Sequence, residues 1–570
     1  MAKVEANVED LVGMIERGEL RLPEMQRRYV WRSTRVRDLL DSLYRGYPSG
    51  AILLWETDGD VPLQEFAVTQ QATAFQTKRL LLDGQQRLTS LSAVIRGQPV
   101  SVRGRKKPID LLFNLEHPDQ LAVVTEVDEN GGDDDDDDET DIDAPDSTED
   151  ELQKRFDDLA FVVSTRKLEQ LPHWVKVSEV FKTDEDAPFL ERAGISSFSD
   201  PRYKKYSQRL ARLRAIRKYP YRMDVLERTL SYDEVTEIFV RVNSLGAKLR
   251  SSDLALAQIT ARWRGALKIF QGFQDTCTKA GFDFDLGIHL KNLVTFATGQ
   301  SRFLTVGSLS VETLQSGWKE AVKGMEFALN FLKNNVGIDS PALLASPFLV
   351  VALGYYGHKR DYQLAPAEAD QLRYWVLVAN AKGRYSRGSS ETLLDQDLAT
   401  LRQGGGAPEL LERLRTQVGR LDFSPQELEG RTQRSSIFKT MFLAFRAAGA
   451  KDWRSNLAIS LDHAGAQHKL QFHHLFPKAY LKSTYIAREA DDIANLSFIA
   501  GKTNRGISDK APSGYLPPLF AKLGAEPFAA QCIPTDPELL ALDHYKTFLA
   551  QRRQLIAARL NEFLGCGVGQ

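Results

Sequence analysis

Two stretches near the amino terminus repeat apolar residues at the spacing of a helix that buries one face. The first runs from Val8 to Ile15 behind the capping residue Asn7, and the second runs from Val36 to Leu43 ahead of Gly46. Asparagine is favoured before the first helical turn, and glycine is favoured after the last. The pattern predicts two amphipathic helices with these ends.

After these two stretches, short continuous runs of apolar residues replace the helical spacing. Ala51–Trp55 and Leu80–Leu82 have the length and composition of buried strands. After Asp83-Gly84 the helical spacing returns in Leu88–Ile95. We therefore predict a strand, a polar turn and a helix, in that order.

From about residue 224 to residue 450 the apolar spacing is mostly helical. The stretch from Thr432 onward mixes short apolar segments, turn residues and a closing helix that contains Tyr545 and Ile556, which indicates a small α+β domain. A single hydrophobic core stops growing at roughly 250–300 residues, so this chain should form two or three domains. We predict a multidomain α+β protein with domains at 1–254, 255–430 and 431–570.

Composition narrows the class of protein. Apolar residues make up 42% of the chain and charged residues 26%, as in soluble globular proteins. No apolar run has the roughly 18 residues of a membrane span, and the amino terminus lacks the apolar stretch of a signal peptide. The three scattered cysteines argue against disulfides and a cysteine-rich zinc site. We expect a cytoplasmic protein without a membrane partner.

The charges are unevenly distributed, although the net charge is only −2. Residues 126–150 contain the run DDDDDDE and almost no apolar residues, which predicts a disordered insert. The alternative is an acidic segment that mimics DNA and guards a basic groove. Residues 202–222 are densely basic, so the small net charge does not exclude nucleic acid.

The carboxy-terminal part carries residues suited to cutting a phosphodiester. That reaction needs a base to take a proton from water and a cation to stabilise charge on the phosphate oxygens. His473 and His474 are adjacent in QFHHLFPKAYL, and imidazole can act in either role. Adjacent side chains of a strand point to opposite faces, so both could serve one substrate only if the backbone bends there.

These residues resemble the HNH family of ββα-metal nucleases. The matching segments are His473–Pro477, Asn495–Ile499 and Lys502–Gly506, and Asn504–Asp509 also resembles the HNH domain of RNA-guided CRISPR effector nucleases. The resemblance implies that His474 is the general base and that Asn495 orients its ring. It also implies that His473 and Asn504 bind a divalent metal, Mg²⁺ or Mn²⁺.

The family more often has aspartate where this chain has His473, so the identity of the ion stays open. Four nearby basic residues could contact backbone phosphates, which gives affinity without sequence information. They are Lys478, Lys502, Arg505 and Lys510. The alternative is that the two histidines serve only as hydrogen-bonding residues of the fold.

The predicted strand and helix near residue 84 enclose the motif Asp83-Gly84-Gln85-Gln86-Arg87. A helix amino terminus presents unpaired N–H groups and positive potential, so a glycine turn with an arginine beside it can hold a phosphate. Taken alone, however, Asp-Gly before a helix is a common turn.

Together with Leu22–Trp55, this motif resembles the ParB-like amino-terminal domain of GmrSD-type modification-dependent restriction proteins. Further matching positions lie in Phe239–Ser244, Gly246, Leu249 and Asp253-Leu254, and again between Arg384 and Leu398. The resemblance implies a ParB-like α/β domain that binds and hydrolyses a nucleoside triphosphate. The implied nucleotide-binding residues are Asp83, Gly84, Gln85, Gln86 and Arg87.

The two resemblances imply an anti-phage DNA endonuclease, in which an amino-terminal nucleotide-binding domain regulates an HNH site and modified phage DNA is the target. One alternative is a nucleotide-dependent DNA-binding regulator whose HNH-like domain does not cut. A second alternative is a toxin that cleaves RNA. Homo-oligomerisation, the nucleotide and the recognised modification stay open.

Overall fold

The computed structural model describes residues 2–71, 78–102, 105–119, 156–245, 250–463 and 465–565. The acidic insert predicted at 126–150 lies outside them, as do Gly246 and Leu249. The chain forms two compact units, Met1–Leu267 and Lys268–Gln570. Both contain helices and strands, which confirms the predicted multidomain α+β class.

The three-part division of the chain stays a prediction. One hydrophobic core runs through the second unit and includes Leu428 and Ile437, which lie on either side of the predicted boundary at residue 430. None of the helices in the described residues is both long enough and apolar enough to cross a membrane.

The strands concentrate in the first unit. They are β1 (Ala2–Asn7), β2 (Leu20–Pro23), β3 (Ile52–Thr57), β4 (Leu63–Gln64), β5 (Lys78–Asp83), β6 (Val100–Val102), β7 (Arg105–Lys107), β8 (Leu111–Asn114), β9 (Phe161–Val163), β10 (Trp174–Lys176), β11 (Pro220–Leu226), β12 (Leu470–His474) and β13 (Leu496–Ala500).

The helices of the first unit begin with the two that the apolar spacing predicts. They are α1 (Val8–Glu16), α2 (Ser33–Arg45), α3 (Gln85–Arg96), α4 (Val177–Lys182), α5 (Ala187–Arg192), α6 (Tyr203–Arg214), α7 (Tyr232–Leu245) and α8 (Ser251–Arg262). Gly46 ends α2 in the left-handed conformation, with φ of 79°. The predictions for α1, α2, α3, β3 and β5 are confirmed.

The second unit is mainly helical. Its helices, with the one that begins at the boundary, are α9 (Ala266–Lys279), α10 (Leu286–Thr298), α11 (Val311–Phe331), α12 (Phe348–His358), α13 (Pro366–Lys382), α14 (Ser390–Arg402), α15 (Ala407–Val418), α16 (Ser436–Ala447), α17 (Gly465–His468), α18 (Lys478–Leu481), α19 (Ala487–Ala490), α20 (Gly501–Ile507), α21 (Pro512–Leu523), α22 (Glu526–Ala529) and α23 (Tyr545–Leu564).

A mixed sheet with the order β1-β11-β3-β5-β2-β4 organises the first unit. Strand β3 runs parallel to β11 and antiparallel to β5. Alternate side chains of β3 enter different cores, because Leu54 packs in the cluster that contains α1, α2 and α3, whereas Trp55 packs with α7 and α8. Both faces of the sheet are therefore covered, which explains why β3 is a continuous apolar run rather than an alternating one.

A buried ion pair joins two segments of the second unit. Arg384 Nη2 and Nε donate to the two carboxylate oxygens of Asp397 at 2.8 and 3.0 Å, and Tyr385 Oη donates to the same carboxylate at 2.7 Å. The side chains of Arg384 and Asp397 are 2% and 0% exposed. These positions of the GmrSD resemblance therefore stabilise the core of this unit.

Substitution Asp397→Ala should lower the stability of the second unit by about 3–5 kcal/mol, because it leaves the buried guanidinium of Arg384 without its counter-charge. Glu412→Ala is the control, since Glu412 is 67% exposed and pairs with Arg415 at the surface. Calorimetric unfolding of the full chain measures both. A decrease for Asp397→Ala no larger than that for Glu412→Ala would contradict the assignment.

Candidate functional site

An antiparallel hairpin followed at once by a helix positions the two predicted histidines. In the register of β12 and β13, His473 lies opposite Ser497 and His474 lies opposite Leu496. Helix α20 begins at Gly501, directly after β13. Two strands and a helix therefore meet around the two histidines.

His473 faces the helix. It is 3% exposed, and its Nδ1 lies 2.8 Å from Oδ1 of Asn504 on α20. On the other side of the ring, Nε2 lies 2.9 Å from Oη of Tyr515, which itself donates to the carbonyl of Leu475 at 2.9 Å. With the ring proton on Nδ1, His473 donates to Asn504 Oδ1 and Nε2 accepts from the Tyr515 hydroxyl; with the proton on Nε2, the ring donates to that hydroxyl and Nδ1 has a lone pair.

Asn504 presents its amide oxygen to Nδ1 of this ring. Its Nδ2 donates to Oε1 of Gln471 at 2.7 Å, which turns Oδ1 toward His473. Burial lowers the pKa of His473 to about 4, so the ring is neutral at physiological pH. In the tautomer without a proton on Nδ1, this nitrogen and the amide oxygen are both metal-ligand atoms, and a cation between them would take the place of the hydrogen-bonding proton.

His474 has different partners, as expected for the next residue of a strand. Its Nε2 lies 2.9 Å from Oδ1 of Asp491, and Nζ of Lys478 lies 2.9 Å from the same oxygen. Burial and the charge of Lys478 hold the pKa of His474 below its ordinary value, although Asp491 opposes them. The sequence interpretation missed Asp491, whose only signal was its place a few residues ahead of Asn495.

Asn495 contacts backbone rather than the ring of His474. Its Oδ1 accepts from the N–H of Phe476 at 2.8 Å, and its Nδ2 donates to the carbonyls of Phe476 at 3.0 Å and Ala490 at 2.9 Å. The backbone bends at Leu475 and Phe476, directly after His474. Asn495 thus fixes the bend that follows the histidine pair, and Asp491 makes the ring contact that was predicted for Asn495.

Buried Asp452 supports the hairpin and was also missed from the sequence. One of its oxygens accepts from the N–H of Ala500 at 2.8 Å, and the other accepts from Thr503 Oγ1 at 2.9 Å and from the N–H of Ser455 at 2.7 Å. Burial raises the pKa of Asp452, but the hydrogen bonds from Ser455, Ala500 and Thr503 bring it below its ordinary value. The carboxylate therefore joins the end of β13 to the start of α20.

The four basic residues predicted to contact phosphate all lie at the surface of this region. Lys502 and Arg505 belong to α20, while Lys478 begins α18 and pairs with Asp491. Lys510 follows α20, and its Nζ donates to the carbonyl of Gly506 at 3.5 Å. These four positive charges are therefore accessible to a polyanion that approaches α20.

In the described residues, no three histidine, cysteine, aspartate or glutamate side chains come together as a metal-binding group. A cation beside His473 would therefore have the imidazole and the Asn504 amide as its ligands from this region. Phosphate and water oxygens are the ligands that complete such sites with Mg²⁺.

The second candidate site lies at the turn between β5 and α3. Gly84 has φ of 97°, a left-handed conformation that favours glycine, and a Cβ atom built on it would also meet Cδ1 of Ile52. Gln86 in the first turn of α3 accepts from the N–H of Val30 at 2.9 Å and donates to the carbonyl of Arg28 at 3.3 Å. The motif thus holds the 28–30 segment over the start of α3.

Neighbouring motif residues also fix backbone. Nη2 of Arg87 donates to the carbonyl of Ala51 at 2.7 Å and to Asp83 at 3.1 Å, and Nη1 donates to the carbonyl of Ser49. Gln85 is buried, whereas the side chain of Asp83 is 45% exposed. Arg87 therefore stabilises the local backbone, a role additional to the phosphate contact that the sequence predicts for it.

Other positions of the amino-terminal resemblance meet in the same unit. Arg27 Nη1 lies 3.0 Å from Oδ2 of Asp253 on α8. Gln26 donates to the carbonyl of Leu81 at 3.3 Å and also to that of Leu82. Segments distant in sequence are thus tied together around the glycine turn.

The fold and the two sites define a two-unit α+β protein, with a glycine turn at a helix start in one unit and a hairpin–helix histidine site in the other. Residues 8–260 match the family described as "GmrSD restriction endonuclease, N-terminal domain". This match lies within the first unit and covers less than half of the chain. It is also 25% identical to "Uncharacterized protein MJ0686" of Methanocaldococcus jannaschii over 550 residues, which is 90% of this chain and 86% of that protein.

Proposed function

We propose that this protein is a metal-dependent DNA endonuclease of the modification-dependent restriction class, with an HNH-type site in its second unit. The observation that carries the proposal is the pairing of His473 Nδ1 with Asn504 Oδ1 at 2.8 Å, next to a histidine that contacts a carboxylate. The GmrSD family of the amino-terminal domain supports DNA as the substrate.

The residues fit a divalent cation. His473 is neutral because burial lowers its pKa to about 4, and with its ring proton on Nε2 it would present the Nδ1 lone pair beside the amide oxygen of Asn504. These two atoms would hold Mg²⁺ or Mn²⁺. When bound, such an ion stabilises negative charge on the phosphate oxygens and on the leaving oxygen.

His474 is assigned as the general base. Because its Nε2–H donates to Asp491, the proton acceptor of the ring is Nδ1. Asp491 stabilises the imidazolium that forms when the ring takes a proton from water, and Lys478 holds the carboxylate ionised. Asn495 maintains the backbone bend after His474. One substrate can reach both histidines only if the backbone bends there.

The amino-terminal domain is assigned to bind a nucleoside triphosphate at the start of α3. The first N–H groups of a helix have no partners within it, and Gly84 allows a ligand to approach them closely. Arg87 carries positive charge to the same turn. Nucleotide would then alter DNA cutting through different affinities for two states of the protein.

His474→Ala should reduce cleavage of modified DNA by about 100- to 10,000-fold, because it removes the proton acceptor. DNA affinity should not change. Asp491→Asn keeps a hydrogen-bond acceptor but loses the charge. Its cleavage rate should lie between the rate of His474→Ala and that of the wild type. Rates with Mg²⁺ or Mn²⁺ measure this, and exposed His468→Ala is the matched control. Wild-type cutting by His474→Ala would show that the histidine only stabilises the fold.

Arg87→Ala should abolish nucleotide binding and the response of DNA cleavage to nucleotide concentration. This variant also releases the 49–51 backbone, so Tyr221→Phe is the control, because it removes the hydroxyl that accepts from Ser49 Oγ at 2.7 Å and keeps the guanidinium. Calorimetric binding of ATP and GTP, with parallel cleavage rates, tests both. An equal loss of nucleotide binding in Arg87→Ala and Tyr221→Phe would show that Arg87 only stabilises the fold.

A further inference from the structure

A hydrogen-bonded loop at 451–458, which follows α16, lies against α20. Its ends pair at Lys451 and Ala458. Within the loop, the carboxylate of Asp452 accepts from the N–H of Arg454 at 3.2 Å and from the N–H of Ser455 at 2.7 Å. These bonds fix the backbone, so a residue on this loop loses little conformational freedom when it binds a ligand.

The same loop is anchored beside the candidate metal site. Trp453 is 4% exposed, and its ring centroid lies 5.9 Å from that of His473 in an edge-to-face arrangement. On the other side, Asp452 accepts from Thr503 Oγ1 of α20 at 2.9 Å. Arg454 follows Trp453 and is exposed. Packing and hydrogen bonds therefore set the place of Arg454 relative to His473.

Gly506 of α20 faces the side chain of Arg454. Nη1 of Arg454 lies 3.7 Å from the position that a Cβ atom would take on this glycine. Gly506 has no left-handed φ, so the backbone does not require glycine here, and glycine disfavours a helix. What Gly506 provides is exposed backbone without a side chain, which a ligand can approach closely.

A second cation approaches the same glycine. Nζ of Lys510 donates to the carbonyl of Gly506 at 3.5 Å, after a turn at Ser508, where φ is 54°. No carboxylate of the described residues forms an ion pair with Arg454 or Lys510, although exposed Asp509 adjoins Lys510 in sequence. Like charges that approach one place without a counter-charge are stabilised by an anion between them.

Helix geometry separates this pair of cations from the candidate metal ligand Asn504. Each residue of a helix turns by about 100°, so Gly506 lies on the side of Lys502, and Asn504 lies on nearly the opposite side. Arg505 is exposed on the surface that joins the two sides. A single anion cannot contact both sides of α20, whereas a nucleic-acid backbone, with its row of phosphates, can follow the exposed surface.

We propose that Arg454 and Lys510 bind a backbone phosphate of duplex DNA across Gly506, and that Arg454 thereby positions the strand to be cut at His473. The inference rests on the proposed function, because it takes DNA as the substrate. The bound phosphate is not the one that is hydrolysed, since Gly506 and Asn504 lie on different sides of α20. Arg454 is therefore a positioning residue and takes no part in the bond cleavage.

The test measures binding of a labelled DNA duplex to the full chain in EDTA at several salt concentrations. Arg454→Ala should weaken binding by about tenfold, the effect of one lost charged hydrogen bond. It should also reduce the slope of log K against log salt by about 0.9, the contribution of one phosphate contact with duplex DNA. Arg454→Lys should restore the slope, because it keeps the charge. The matched control is Arg415→Ala, an exposed arginine of α15, which should change neither quantity.

A second pair of variants, Gly506→Glu and Gly506→Gln, differs in charge but hardly in size. The glutamate places a carboxylate beside both cations, so it should weaken DNA binding more than the glutamine, which only fills the space. Both residues favour a helix more than glycine does, so thermal unfolding should not shift to lower temperature. Equal DNA binding by the glutamate and glutamine variants would contradict an anion site at Gly506.

An affinity and a salt slope in Arg454→Ala equal to those of the wild type overturn the proposal. Equal losses in Arg454→Lys and Arg454→Ala also overturn it, because they show that the arginine only stabilises the loop. An RNA duplex that binds more tightly than the DNA duplex, with the same response to Arg454→Ala, assigns the surface to RNA and overturns the choice of DNA.

The proposed nuclease activity can fail separately, because DNA binding in EDTA needs no cation at His473. A chain that shows the Arg454→Ala effect on binding but never cuts leaves this inference intact and contradicts the endonuclease. A chain that cuts DNA, and whose binding is unchanged in Arg454→Ala, contradicts only the phosphate site.

Discussion

The three hydrogen bonds of the Asn495 side chain are the constraint on which the candidate nuclease site depends. This amide is fully buried and joins the backbone at Phe476 to that at Ala490. It thereby ends β12 just after His474 and brings Asp491 within reach of the histidine ring. An amide suits this position because it donates and accepts at once, whereas a carboxylate could only accept.

The last helix of the chain, α23, also stabilises the backbone around Asn495. Fully buried Arg552 on α23 donates to the carbonyls of Ala494 and Leu496, each at 2.8 Å, on either side of Asn495. Burial lowers the pKa of Arg552 to about 10, which still leaves the guanidinium protonated at neutral pH. The guanidinium of Arg552 therefore stabilises the start of β13 through these carbonyls, and α23 supports the candidate site.

Periodicity predicted the elements whose apolar faces are regular, such as α1, α2 and the β5–α3 unit, because spacing reports burial directly. It did not predict β1, whose burial pattern is almost wholly exposed and whose pairing with β11 depends on residues some two hundred positions away. Motif spacing selected His473, His474, Asn495 and Asn504, and the structure brings the first and last of these together. It could not supply Asp491, Asp452 or Arg552, because their partners are backbone groups or side chains fixed only by the tertiary fold.

We propose that His473 and Asn504 form a cation site rather than only a hydrogen-bonded pair of the core. Electron paramagnetic resonance of Mn²⁺ titrated into the wild type, Asn504→Ala and the neighbouring Lys502→Ala tests it without any DNA. We expect Mn²⁺ to bind to the wild type and to Lys502→Ala alike, with affinity lower by about tenfold or more in Asn504→Ala, the size of effect seen when a metal site loses a supporting group. Equal Mn²⁺ affinity in Asn504→Ala and the wild type, or no bound Mn²⁺ in either, would contradict the account.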